Sequence, residues 1–322
     1  MNAAARTALF GAGVAVAFGA AFGVGRAADL GMPGAQRPAG VTAEGGMAGH
    51  DGAAAAHDAP DGAATGHGSQ TEEAAADALP GGLQVAQDGY RLVLDHPLSP
   101  PADDAALTFR IIGPDNQPLR SYTTTHDKDL HLILARRDLG RYAHLHPTLG
   151  ADGTWSVLTT LPPGSWRVFA DFDPAGAVGP MTLGADLLVS GTVDPQPLPA
   201  PAATAEVDGY TVALKGTLTP GTDSQLTLSV SRAGRPVTGL QPYLAAYGHL
   251  VALRQGDLAY LHVHPDGEPG DGRTRPGPDI VFHTTAPSAG SYRLFLDFKH
   301  GDVVRTAAFT VTAGKEAPPH GH

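Results

Sequence analysis

Between residues 80 and 314, apolar and polar positions alternate in short runs broken by Gly, Pro, Asp and Asn, and no stretch carries a long 3.6-residue apolar period with caps. The pattern predicts few helices and many short strands. Residues 83–87 and 90–94 flank Asp88-Gly89, a pair suited to the positive φ that both central positions of a type I′ hairpin require. A strand over 106–112 follows, then a turn cluster at 113–118, then strands near 129–135, 142–146, 154–160, 165–172 and 181–190. About seven or eight strands per roughly one hundred residues is the signature of a β-sandwich. The chain is therefore expected to be all-β, with an Ig-like and a cupredoxin-like strand order both open.

The pattern is also written twice. His131 begins an apolar run, and His144 and His146-Pro147 follow it; His249 begins another, and His262 and His264-Pro265 follow at the same spacing. Asp88-Gly89-Tyr90 returns as Asp208-Gly209-Tyr210. Gly164-Ser165-Trp166-Arg167-Val168-Phe169-Ala170-Asp171-Phe172 returns as Gly290-Ser291-Tyr292-Arg293-Leu294-Phe295-Leu296-Asp297-Phe298. Two tandem sandwich modules follow, over 80–191 and 204–314, each of ordinary domain size. Prolines crowd residues 192–203, which predicts a semi-rigid polyproline spacer, with the modules apart or touching over a modest interface. Residues 265–278 lengthen the loop after the second His-x-His-Pro, where insertions often border a binding site.

The ends of the chain change the picture. Residues 7–25 carry no charge and lie between Arg6 and Arg26, close to the least length that spans a bilayer, although their glycines lower helix propensity. Residues 1–28 are expected to be a single-pass membrane anchor or, alternatively, a cleaved signal with secretion; either places the modules outside the cytoplasmic membrane. Residues 29–79, rich in Ala, Gly, Asp and His, bury too little to offset chain entropy and are expected to form a disordered tether. That tether holds His50, His57 and His67, and the tail over 315–322 holds His320 and His322. These histidines suit loose metal capture, or simply a solvated tether.

The net charge is −11, and residues 33–79 hold seven acidic side chains against one Arg, so much of it is local. No basic stripe exists to neutralise phosphates, which argues against nucleic acid as a partner. There is no cysteine, so disulfides, thiolate metal sites, thiol catalysis and the antibody-type Cys-Trp-Cys core are all excluded.

The repeated histidines are the candidate chemistry. On a strand, alternate residues share a face, so His144 and His146 point one way with Tyr142, and His262 and His264 point one way with Tyr260. The opposite faces, Ala143 with Leu145 and Leu261 with Val263, are the better core faces. Two imidazoles on one face can share a metal, with His131 or His249 as a third ligand. Asp171 or Asp297 would serve as ligand or as acceptor of a ligand's N–H. His126, in His126-Asp127-Lys128-Asp129, adds a donor that the second module lacks. Nitrogen donors without Cys or Met favour Cu(II) or Zn(II) over Cu(I). The same residues would equally serve as a structural His/Asp network. No nucleophile elbow, P-loop or His-Glu-x-x-His is present, and a non-catalytic protein is expected.

With its anchor, its two His-Leu-Ile/Val and His-x-His-Pro segments and its Tyr-Arg-x-Phe-x-Asp-Phe segment, the chain resembles membrane-anchored or secreted tandem β-sandwich proteins of high-GC bacteria, often filed as heavy-metal-binding. Each module is similar, more weakly, to the YtkA/FixH-like extracytoplasmic domains. The resemblance implies a part in metal homeostasis at the cell envelope: divalent-metal binding and buffering, with one His-based site in each module and delivery to an envelope protein. The rival expectation is an envelope interaction or adhesion protein whose Ig-like domains use the His/Asp network structurally.

Overall fold

The computed structural model describes residues 79–176, 179–261 and 263–314. The predicted anchor, tether and His-bearing tail lie outside the described residues, as does His262. Among the described residues there is no helix.

The first repeat runs β1 (Ala86–Gln87), β2 (Tyr90–Leu94), β3 (Leu98–Ser99), β4 (Ala102–Ile112), β5 (Leu130–Arg136), β6 (Tyr142–Leu145), β7 (Thr148–Leu149), β8 (Trp155–Leu161), β9 (Gly164–Phe172) and β10 (Met181–Val189). The second runs β11 (Thr204–Val207), β12 (Tyr210–Lys215), β13 (Asp223–Arg232), β14 (Arg235–Pro236), β15 (Gly248–Arg254), β16 (Tyr260–Leu261), β17 (Val263–Pro265), β18 (Asp279–Thr285), β19 (Gly290–His300) and β20 (Val303–Ala313). In the first repeat one sheet has the order β1-β2-β4-β8-β7 and the other β3-β10-β9-β5-β6, with β3 parallel to β10. The second repeat has β11-β12-β13-β18-β17, with β14 on β13, and β16-β15-β19-β20.

Alternation builds each sandwich. Tyr90, Leu92 and Leu94 of β2 and Leu107, Phe109 and Ile111 of β4 face Leu130, Leu132 and Leu134 of β5 and Trp166 and Val168 of β9 in one buried cluster. Tyr210, Val212, Leu228 and Phe282 repeat this against Leu250, Tyr292, Leu294 and Phe298. The predicted hairpins form as type I′ turns, with φ of 50° and 83° at Asp88 and Gly89 and of 48° and 77° at Asp208 and Gly209.

A third buried cluster lies between the repeats. Ile133, Ala135, Leu139 and Phe169 of the first pack with Val251, Leu253, Leu258 and Phe295 of the second. The contacts are reciprocal. Tyr142 stacks on Phe295 with ring centres 4.0 Å apart, and Tyr260 lies 5.7 Å from Phe169, the equivalent pair with the repeats exchanged. Such reciprocity is what two copies of one surface produce when they face each other.

Residues 192–203 lie against the repeats they join. Leu198 packs against the third cluster, and the Ala202 N–H donates to the Thr310 carbonyl. The physical reason lies in β5 and β15, which are buried on both faces, so that the outward row of Ile133, Ala135, Val251 and Leu253 must find a cover. A strap formed by the residues preceding β1 adds to the join. The Gly82 N–H donates to the Thr182 carbonyl, Tyr260 N–H donates to Gly81, and Arg167 holds the Gly82 carbonyl through Nε and Nη2. Gly184 is required under this strap, because a Cβ there would stand 2.0 Å from the Gly82 oxygen.

Candidate metal centre

The outward faces that carry the third cluster carry the histidines at one end. On β5, His131 shares its face with Ile133 and Ala135, and on β15, His249 shares its face with Val251 and Leu253. On β6, Ala143 and Leu145 pack on the first core, which turns Tyr142 and His144 towards the second repeat. Asp171 sits opposite His131 in the β5–β9 register, and Asp297 opposite His249 in the β15–β19 register.

Each repeat then fixes its leading histidine in the same way. A two-residue turn precedes it, Thr125–Lys128 in the first repeat and Tyr243–Ala246 in the second, closed by backbone bonds in both directions. The central residues are left-handed in both: His126 and Asp127, then Leu244 and Ala245. His131 Nε2 lies 3.1 Å from the Thr125 carbonyl, and His249 Nε2 lies 3.0 and 2.9 Å from the Tyr243 and Leu244 carbonyls. A carbonyl only accepts, so in each ring Nε2 carries the proton and Nδ1 keeps its lone pair.

His144 joins the repeats. Its Nδ1 donates to Asp297 Oδ2 at 2.9 Å, with both side chains nearly fully buried, and Thr306 Oγ1 donates to the other carboxylate oxygen. Its Nε2 lies 3.0 Å from His131 Nδ1. With His131 Nε2 and His144 Nδ1 both turned to acceptors, the two facing nitrogens can pair only by sharing a cation, either a proton or a metal ion. His146 completes the group: its Nε2 is buried without a hydrogen-bond partner. One nitrogen from each of His131, His144 and His146 lies within 4.8 Å of the others, the one such group of three among the described residues.

The electrostatics keep the rings of His131, His146 and His249 neutral. Burial, then repulsion from His144, lowers the His131 pKa to about 3. Burial and the same neighbour lower His146 to about 4, and burial with His144 and His126 lowers His249 to about 4. Lone pairs are thus available for a metal at neutral pH. Burial also pushes the Tyr142 and Tyr260 hydroxyls well above their ordinary range, so both flanking rings stay uncharged.

The predicted residues are therefore partly gathered in one place. His131, His144, His249 and Asp297 meet across the repeats, with His126, whose ring centre is 5.3 Å from that of His249. Asp171 accepts from Thr182 Oγ1 at 2.9 Å and lines, with His126, His131, His144, His249 and His264, a cavity of about 210 Å³. His264 is exposed and pairs in register with His283 across β17 and β18. Sequence reasoning missed the carbonyls of Thr125, Tyr243 and Leu244, because a backbone acceptor leaves no trace in residue type. It also missed Thr306, although Thr182 and Thr306 each face the repeated Asp in register and could have been found that way.

A family model described as "Domain of unknown function (DUF8832)" matches residues 84–186 and 205–315. No curated protein matches the chain. Among solved structures the chain is similar to FdeC, an Escherichia coli adhesin, at 16% identity and a TM-score of 0.22, covering 71% of this chain and 65% of that one. It is also similar to Salmonella alpha-2-macroglobulin reacted with methylamine, at 13% identity and a TM-score of 0.24, covering 72% and 15%. A third likeness is to Yersinia pseudotuberculosis InvD, at 14% identity and a TM-score of 0.22, covering 73% and 62%. The chain thus spans about two thirds of the adhesin and a small part of the macroglobulin. At that similarity these proteins lend it neither an activity nor a partner.

Proposed function

The chain belongs, through both of its repeats, to this family of unknown function, and we propose that it binds a divalent transition metal, Cu(II) or Zn(II), at the imidazole triad of His131, His144 and His146. One observation carries the reading. Ring nitrogens of His131 and His144 face each other 3.0 Å apart, and His146, whose Nε2 is buried and unpartnered, belongs to the same group of three. A proton could bridge the first two nitrogens but would leave the third unmatched; a metal ion takes all three.

The donor set fits. At a metal–nitrogen distance of about 2.05 Å, tetrahedral coordination separates ligand nitrogens by about 3.3 Å, inside the range from 3.0 to 4.8 Å seen here. Two of the three rings hold their other nitrogen against an acceptor, Thr125 for His131 and Asp297 for His144, which fixes tautomer and orientation. All-nitrogen donation suits Cu(II) and Zn(II), and Met181 is packed in the core of the first repeat rather than offered as a soft ligand. Asp297 makes the centre a property of both repeats, so one composite site replaces the expected site per module.

The uncharged segment over 7–25 supports placing the repeats outside the cytoplasmic membrane, where the protein would buffer or deliver the ion without turnover. The sheet orders also support an Ig-like sandwich. β2-β4-β8-β7 matches the A-B-E-D sheet and β10-β9-β5-β6 the G-F-C-C′ sheet.

Calorimetric titration of the full chain and of a His131→Ala/His144→Ala/His146→Ala variant tests the centre, since the terminal histidines are common to both. The wild type is expected to show a tight binding phase that the folded variant lacks. Equal isotherms from two folded proteins would overturn it and leave a His/Asp network that only joins the repeats, in an interaction protein.

A further inference from the structure

The five imidazoles between the repeats do not form one set. For two histidines on one tetrahedral ion, a metal–nitrogen bond of about 2.05 Å puts their ring centres about 5.2 Å apart. The centres of His131, His144 and His146 are 4.8, 5.2 and 5.3 Å apart, so these three fit one ion. His249 lies 6.3 and 6.2 Å from His131 and His144, too far to share that ion in the same geometry. It lies 5.3 Å from His126, which in turn is 6.2 Å from His131.

We propose that His126 and His249 form a second divalent transition-metal site beside the triad, open to the cavity and to solvent, through which the ion enters and leaves. The inference rests on reading the triad as a metal centre. Three features support it. His249 is 9% exposed, and both nearby carbonyls hold its Nε2, so its remaining nitrogen is the one free to ligate. His126 is exposed on a turn whose left-handed backbone His tolerates better than most residues do. The equivalent turn of the second repeat carries Leu244 in its place, so the repeat scaffold itself does not require the imidazole. Two protein ligands leave coordination positions for water or for a delivering partner, whereas in the triad His131 is buried and His144 and His146 are half-buried. The cavity of about 210 Å³ lined by His126, His131, His144 and His249 connects the two sites.

The full chain, a His126→Asn variant that keeps the turn's backbone preference, and a His144→Ala variant are titrated with Cu(II) and followed by electron paramagnetic resonance. In the wild type, a second equivalent is expected to broaden the signal of the first, because two ions so close couple magnetically. His126→Asn should lose that coupling and one equivalent, and keep the first signal with its nitrogen hyperfine pattern. Equal uptake by wild type and His126→Asn, with no coupling in either, overturns the second site and leaves the triad standing. A His144→Ala protein that matches the wild type in every respect overturns the triad, and this site with it.

Discussion

Replacing Asp297 by Asn tests the logic of the centre most directly, because it changes neither size nor shape. In the wild type both carboxylate oxygens accept, one from Thr306 Oγ1 and one from His144 Nδ1. An amide offers one accepting oxygen. If the oxygen stays on His144, the amide N–H₂ meets the Thr306 hydroxyl, which can turn and accept, and the centre survives at a cost in hydrogen-bond quality. If the oxygen turns to Thr306, the amide donates to His144 Nδ1, drives the proton to Nε2, and removes the lone pair that faces His131. Both side chains are almost completely buried, so no solvent relieves the choice. Outer-shell substitutions of this kind typically weaken metal affinity about 10–100-fold, or about 1.4–2.7 kcal/mol. The metal-free protein should lose about 1–3 kcal/mol, the cost of a buried group left poorly satisfied. Chelator competition with Zn(II) and urea unfolding in EDTA measure the two separately. Unchanged affinity in a folded Asp297→Asn protein would refute the claim that Asp297 sets the His144 tautomer for metal binding.

Three further outcomes follow from the same geometry. Tyr142→Phe removes a buried hydroxyl that has no hydrogen-bond partner and keeps the ring stacked on Phe295; urea unfolding should show a stability unchanged or raised by about 1 kcal/mol, and a loss above that would mean the hydroxyl is satisfied. Phe295→Ala empties the middle of the inter-repeat cluster, and calorimetry should show a loss of about 3–5 kcal/mol, with two separate unfolding transitions if the cluster is what couples the repeats. In the metal-free protein the lowered pKa values of His131, His146 and His249 mean that the unfolded chain binds more protons between about pH 6.5 and 4. Stability should therefore be complete above about pH 6.5 and fall on acidification, by at most about 1.4 kcal/mol per pH unit for each histidine; a flat profile over that window would show the rings to be solvated.

The strands were legible because alternation acts locally. Tyr90, Leu92 and Leu94 point inward whatever surrounds them, and Asp88-Gly89 turns where few other pairs would. The repeat was legible because equal spacing survives in the chain. The pairing of the two histidine-bearing faces was not. Its one local trace is that residues 130–135 and 249–253 lack the polar alternation of a half-exposed strand, which says that a second face is covered without saying by what.

The sequence by itself determined an all-β chain of two homologous repeats, with histidines and an aspartate on defined strand faces and no thiol to complicate their chemistry. Tertiary structure alone decided that these faces meet. Hydrophobic burial is non-directional, so a row such as Ile133, Ala135, Val251 and Leu253 fixes how much surface must be covered, not which partner covers it. That partner proved to be the repeat's own copy. It set His144 against an aspartate 153 residues away and gathered side chains of both repeats in one place.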